Sequence, residues 1–132
     1  PSFVYQALKG DKIIINSLIK VYRSFVSLAE LLSVVLGTFE EIKPGESCVF
    51  DASGTEVVEI GELALQVKGL VNPEATIIRG ELKDDTPDSY LGSIKKYTGL
   101  VRKLEISPNP LKDQILCTAL YLEKFFRIKG TV

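Results

Sequence analysis

Arg23 is the one guanidinium in an otherwise apolar run, Val21-Tyr22-Arg23-Ser24-Phe25-Val26. Such an arginine is either a rim residue in water, paired to an acid such as Glu30, or an anion clamp. Its planar fork matches two phosphate oxygens at once. Arg79 closes a second apolar run, and Lys83 follows in a polar stretch. By themselves both read as solvated charges at a strand edge. Tyr90 and Ser93 have the chemistry to line a polar pocket, and equally that of a packed ring and a helix cap. Asp84-Asp85 offers only two adjacent carboxylates, which hold a divalent ion poorly without further oxygen ligands. Lys95 and Lys96 read as a solvated helix face. Cys48 has no neighbouring base that would make it a nucleophile. The sequence contains no histidine. That removes His-based triads, His general bases and most zinc sites.

The elements that must position these residues are legible from periodicity. Residues 1–9 read as the end of a helix with Phe3 and Ala7 inward, stopped by Gly10-Asp11. Residues 12–16 are a β-branched strand. The Arg23 strand ends at Ser27, where a helix begins. Leu28, Leu31, Leu32, Val35 and Leu36 follow the i, i+3, i+4, i+7, i+8 spacing of an inward face. Ser27 and Glu30 have capping-box spacing, the hydroxyl accepting one orphan amide and the carboxylate reaching back to another. Gly37 is the expected stop, unless Phe39 extends the helix.

Further along, Lys43-Pro44-Gly45-Glu46 is a turn, and SCVFDA, residues 47–52, reads as an apolar strand. Ile60, Leu63, Ala64 and Val67 mark a helix started by Glu59, whose charge suits the helix dipole. Asn72-Pro73 is a turn, ATIIRG at 75–80 a strand, and 81–89 a loop. Ser93 caps a helix with Ile94, Tyr97, Val101 and Leu104 on one face. Asn109 and Pro110 open a last helix with Leu111, Ile115, Thr118, Leu122 and Phe126 inward.

Composition bounds the rest. The 132 residues are 45% hydrophobic and 25% charged, which suffices for one folded domain. A formal net charge of −1 gives no long-range attraction to nucleic acid or anionic membrane. No apolar run approaches the ~20 residues of a membrane span, and no signal-peptide pattern opens the chain. The expectation is a cytoplasmic protein with Cys48 and Cys117 as buried, reduced thiols. Methionine is absent and the sequence opens at Pro1, so a fragment of a longer reading frame is expected.

Several of these stretches together resemble one family. Arg23 to Leu31 is similar, in register, to the R-D-[FY]-[VI]-x-[VL]-x-D-L segment of the extended short-chain dehydrogenases/reductases, the NAD-dependent nucleotide-sugar epimerases and dehydratases. Ser24 and Glu30 stand where that family has Asp. Phe3 to Ile15 resembles its F-x-x-x-[AL]-x-x-G-x-x-[IL]-x-I segment. Ser17-Leu18-Ile19-Lys20 replaces the Gly-rich turn that usually follows. Residues 47–54 look like the last parallel strand of the family's dinucleotide domain. Tyr90 to Leu122 resembles its C-terminal segment.

The resemblance implies an α/β fold, a small mixed sheet with about four helices, forming the C-terminal substrate-binding portion of a Rossmann-type enzyme. It implies that Arg23 binds the diphosphate of a nucleoside-diphosphate sugar. Arg79 and Lys83 compete for a second diphosphate contact, and Tyr90 and Ser93 line the sugar or base pocket. The family's phosphate-cradling glycine fingerprint is missing, as is its catalytic Tyr-x-x-x-Lys, because Lys95 lies one residue too far from Tyr90. NAD or NADP would therefore belong to an N-terminal dinucleotide domain of the same protein, a partner of this region, and no catalytic residue is expected here. A strand and a helix face deprived of neighbours are expected to self-associate, giving a homo-oligomer. The competing expectations are a stand-alone binding module and an adaptor without a small ligand.

Overall fold

The computed structural model describes residues 1–10 and 12–128, and shows an α/β fold with two small sheets and two cores. Helix α1, Ser2–Lys9, buries Val4 and Ala7. Its end at Gly10 is extended backbone, with the Gly10 amide donating to Gln6 O. Asp11, the other half of the expected stop, lies outside the described residues. Strand β1, Lys12–Ile15, alternates cleanly, with Ile13 and Ile15 buried. It pairs in parallel with β4, Thr76–Arg79. Between them in sequence come β2, Val21–Ser24; α2, Leu28–Glu41; β3, Val57–Glu59; and α3, Ile60–Val71. After β4 follow β5, Asp88–Tyr90; α4, Ile94–Lys103; and α5, Leu111–Ile128. The second sheet has the order β3-β2-β5, with β3 antiparallel and β5 parallel to the central β2. The sequence reading of about four helices on one mixed sheet becomes five helices on two sheets among the described residues.

The larger core gathers Ile13 and Ile15 of β1, Val4 of α1, Val67 of α3 and Ile115 of α5. The three helices thus cover one face of the parallel β1–β4 pair, while Ile14 and Ile78 on its other face are exposed. Asn72 ties this layer together. Its Nδ2 donates to Ala7 O at 3.1 Å, and its Oδ1 accepts from the Glu74 amide, so the predicted turn also anchors the end of α1.

The smaller core is Val34, Tyr97 and Val101, with Val26, Phe50, Leu100 and Ile106 against it. It corrects the reading of α2. The helix keeps its amphipathic period but faces the other way: Glu30, Val34 and Thr38 are buried, while Leu28, Leu32, Val35, Leu36 and Phe39 face outward. The cause is Glu30. Its Oε1 accepts from the Tyr97 hydroxyl at 2.8 Å and its Oε2 from the Asn109 amide at 2.9 Å. Those two bonds turn the 30/34/38 row toward α4. Only half of the capping box forms. Ser27 Oγ accepts from the Glu30 amide at 3.1 Å, but the Glu30 carboxylate goes inward and not back. The helix runs through Gly37 to Glu41, so Phe39 extends it.

Residues 47–52 form no strand, contrary to the sequence reading. They are held by side chains instead. Phe50 packs 6.2 Å from the Tyr97 ring, the Lys96 ammonium donates to Val49 O, and Asp51 Oδ2 accepts from the Ser93 amide at 2.7 Å. The segment then passes so close to β2's exit that a Cβ on Gly54 would fall 1.5 Å from Phe25 O, and no other residue fits. Cys117 is exposed and Cys48 half-buried, so the expectation of two buried thiols fails. Helix α5 starts one residue later than expected. Pro110 O accepts from the Gln114 amide, and Glu56 Oε1 takes the Leu111 amide.

Ser27→Ala should cost about 1 kcal/mol, the usual worth of a lost N-cap. Chemical denaturation checks it. An unchanged midpoint would mean that the Glu30 anchor alone fixes the start of α2.

Candidate functional site

The parallel register of β2 and β5 makes Arg23 and Tyr90 direct neighbours, although 67 positions separate them in sequence. On adjacent strands, register partners present their side chains to the same face. The guanidinium carbon of Arg23 lies over the Tyr90 ring, 3.5 Å from its centre, a cation–π contact. Arg23 Nη1 is buried and has no hydrogen-bond partner. Among the described residues Arg23 has no ion-pair partner, and Glu30, the acid considered for it, is committed to Tyr97 and Asn109. The ring covers one face of the guanidinium, and no hydrogen bond from its donors is made among the described residues. A half-buried cation without a counter-ion, its buried Nη1 unbonded, is a candidate for anion binding.

Arg79 is arranged in the opposite way. Its Nη2 donates to Ile19 O at 2.7 Å and to Glu59 Oε1 at 2.9 Å, its Nη1 to Glu59 Oε2 at 3.1 Å, and its Nε to Ser17 O at 3.0 Å. All three guanidinium nitrogens are engaged inside the chain. Glu59 also accepts from the Val21 amide and, as the N-cap of α3, from the Gly61 amide at 2.6 Å. A Cβ on Gly61 would meet Glu59 Oε2 at 2.6 Å and Arg79 Nη1 at 2.8 Å, so glycine is needed to let the pair sit over the helix start. Glu59 pairs with Tyr22 across the sheet, on the face opposite Arg23. Burial alone would raise the Glu59 carboxyl. The bonds from Arg79, Val21 and Gly61 and the Arg79 charge outweigh it and hold the carboxyl below its ordinary value of 4.5.

The remaining candidates are dispersed. Lys83 is exposed at a hollow of about 300 Å³ that it shares with Lys20, Asp84 and Asp85, and its amide donates to Leu18 O. Ser93 is the exposed N-cap of α4, but its hydroxyl makes no capping bond; its amide is held by Asp51. The structure thus brings Arg23 and Tyr90 together and leaves Arg79, Lys83 and Ser93 outside that contact. Asp51 fixes the segment just after Tyr90, and no sequence signal marks it, since its partner lies 42 residues away. Tyr97 belongs to the α4 face read from sequence. Its full burial, the Glu30 bond and the Glu30 charge raise its hydroxyl pKa well above the ordinary range, so it stays a neutral donor.

A second concavity of about 780 Å³ runs between α1, α3, α5 and the β2–α2 connection. Its walls are mainly apolar, with Phe3, Phe25, Leu63 and Tyr121 among them, and Cys117 on its rim. No protein-family model matches the chain, and no curated protein sequence matches it.

Arg79→Ala should destabilise the fold by about 3–5 kcal/mol, because it strands a buried carboxylate. The Glu59 pKa is depressed on folding, so its contribution is complete above the ordinary carboxylate range and is lost as pH falls through the lower folded value. Acid titration of stability should therefore show a steeper loss below about pH 4.5 in wild type than in Glu59→Gln. Parallel acid limbs would contradict this assignment.

Proposed function

We propose that the chain is the substrate-binding part of an NAD-dependent epimerase or dehydratase that acts on a nucleoside-diphosphate sugar in the cytoplasm. The observation that carries the reading is the unpaired Arg23 guanidinium laid on the Tyr90 ring. These are two of the residues that the family resemblance assigns to substrate, and they meet through a strand register that nothing in local sequence dictates. A diphosphate offers paired oxygens to the edge of the guanidinium, while Tyr90 holds the fork in one plane. The ring, 60% exposed, also offers its outer surface to a sugar or base.

In this reading Arg23 is the diphosphate clamp and Tyr90 its positioning platform. Arg79 braces the sheets, because its donors are already used. Lys83 remains the candidate for a second cationic contact, being exposed and without an ion pair among the described residues, although it lies outside the Arg23–Tyr90 contact. The residues present do not fit a dinucleotide. The β2–α2 turn, Phe25-Val26-Ser27, has no glycine, and the β3–α3 turn carries the Glu59 carboxylate where a pyrophosphate would need to sit. NAD or NADP would be held by a separate dinucleotide domain. This chain orients the substrate and performs no hydride or proton transfer.

Calorimetric titration with uridine- and guanosine-diphosphate sugars tests the reading. Binding is expected, with Arg23→Ala weakening it by about 1.5–3 kcal/mol, the worth of a hydrogen bond to a charged group. Tyr90→Ala should weaken it by less, and NAD should not bind at micromolar concentration. An Arg23→Ala affinity equal to wild type would overturn the assignment.

A further inference from the structure

The 780 Å³ cleft between α1, α3, α5 and the β2–α2 connection has its floor in the larger core and its mouth in solvent. Val4, Val67 and Ile115 on its lining are buried, whereas Leu28 and Tyr121 are 70% and 66% exposed. Protein interiors pack closely and leave few voids much larger than a water molecule. A gap of this size, reaching the core between three helices, is not a packing defect. Its volume falls within the roughly 300–1,000 Å³ of small-molecule pockets, which are likewise mostly apolar.

The lining sets the chemistry of the occupant. Among the described residues no acidic or basic side chain lines the cleft. A charged group taken into it would lose water without gaining a counter-ion. Several polar side chains on the wall are already used. Ser27 Oγ accepts from the Glu30 amide, Gln114 Nε2 donates to Asn109 O, and Thr118 Oγ1 donates to Gln114 O. The Cys117 thiol and the Tyr121 hydroxyl, neighbours one turn apart on α5, are exposed beside the cleft and can meet one polar group.

Size separates a small molecule from a peptide. A helix about 10 Å across fills on the order of 120 Å³ per residue of rise. The 780 Å³ cleft would therefore house fewer than about two turns of a docked helix. A strand fares no better, because the walls are mainly helices whose main-chain groups are paired within themselves, and it finds no ladder there. We propose that the cleft binds an uncharged, mainly aliphatic molecule with one hydrogen-bonding end. Its chain lies between Phe3, Phe25 and Leu63, and its polar end meets Tyr121. The inference does not depend on the function of Arg23, which lies on the β2–β5 pair.

Fluorescence titration of the whole chain with N-phenylnaphthylamine, an uncharged apolar dye, tests it. Saturable binding is expected. Dodecanol should displace the dye, and dodecanoate should do so at least about tenfold less well, because its carboxylate finds no cation on the wall. Cys117→Trp sets a large ring at the mouth and should abolish dye binding with an unchanged thermal melt, since Cys117 is exposed. Leu65→Trp, exposed on α3 but outside the lining, should bind the dye as wild type does. In a Cys48→Ser background, dodecanol should slow the reaction of Cys117 with dithiobis(nitrobenzoate). Absence of saturable dye binding, displacement by dodecanoate as good as by dodecanol, dye binding that survives Cys117→Trp, or a Cys117 reaction rate indifferent to dodecanol would each overturn the proposal.

Discussion

The Glu59–Arg79 ion pair is the interaction on which the arrangement depends. It sits where β3 turns into α3, and it reaches β4, the start of β2 and the connector at residues 17–19. Among the described residues the two sheets share no ladder, and this pair is a polar link between them. Two charges taken out of water are costly unless their remaining lone pairs and protons are used. Here the guanidinium also satisfies two connector carbonyls, and the carboxylate also satisfies two amides. The ion pair thus holds a stretch of chain that has no regular structure of its own.

This commitment separates the two arginines chemically. Arg79 is neutralised and saturated, and its field is largely cancelled at short range. Arg23, on β2 of the other sheet, has an aromatic platform instead of a counter-ion. An aromatic face holds a guanidinium in place without consuming its donors. The same fold therefore makes one arginine a brace and the other a recognition group, and the difference is set by which acid each can reach.

Sequence periodicity located the helices well, because each carries its apolar spacing locally. It also found the α3 cap at Glu59 and the meeting face of α4. What it missed were choices made by distant partners. The leucine spacing of α2 reads as an inward face, yet Glu30 finds Tyr97 and Asn109, 67 and 79 residues on, and two good bonds to a buried carboxylate outweigh the orientation that the leucines suggest. The apolar run at 47–52 has strand composition but no neighbour to pair with. Lys96, Asp51 and Gly54 pin it through contacts that no local pattern announces. For the site, the unusual setting of Arg23 was visible as a charge in an apolar strand. Its contact with Tyr90 depends on the β2–β5 register, and the loss of Arg79 to Glu59 depends on the β3–α3 corner.

The division of labour between the two guanidiniums can be observed directly by nitrogen-detected NMR of the arginine side chains during titration with uridine diphosphate. Arg79 should show slowly exchanging side-chain protons in the free protein and should not respond to the nucleotide. Arg23 should exchange quickly when free, then shift and become protected as the diphosphate is added. A response at Arg79 with Arg23 unchanged would contradict the account.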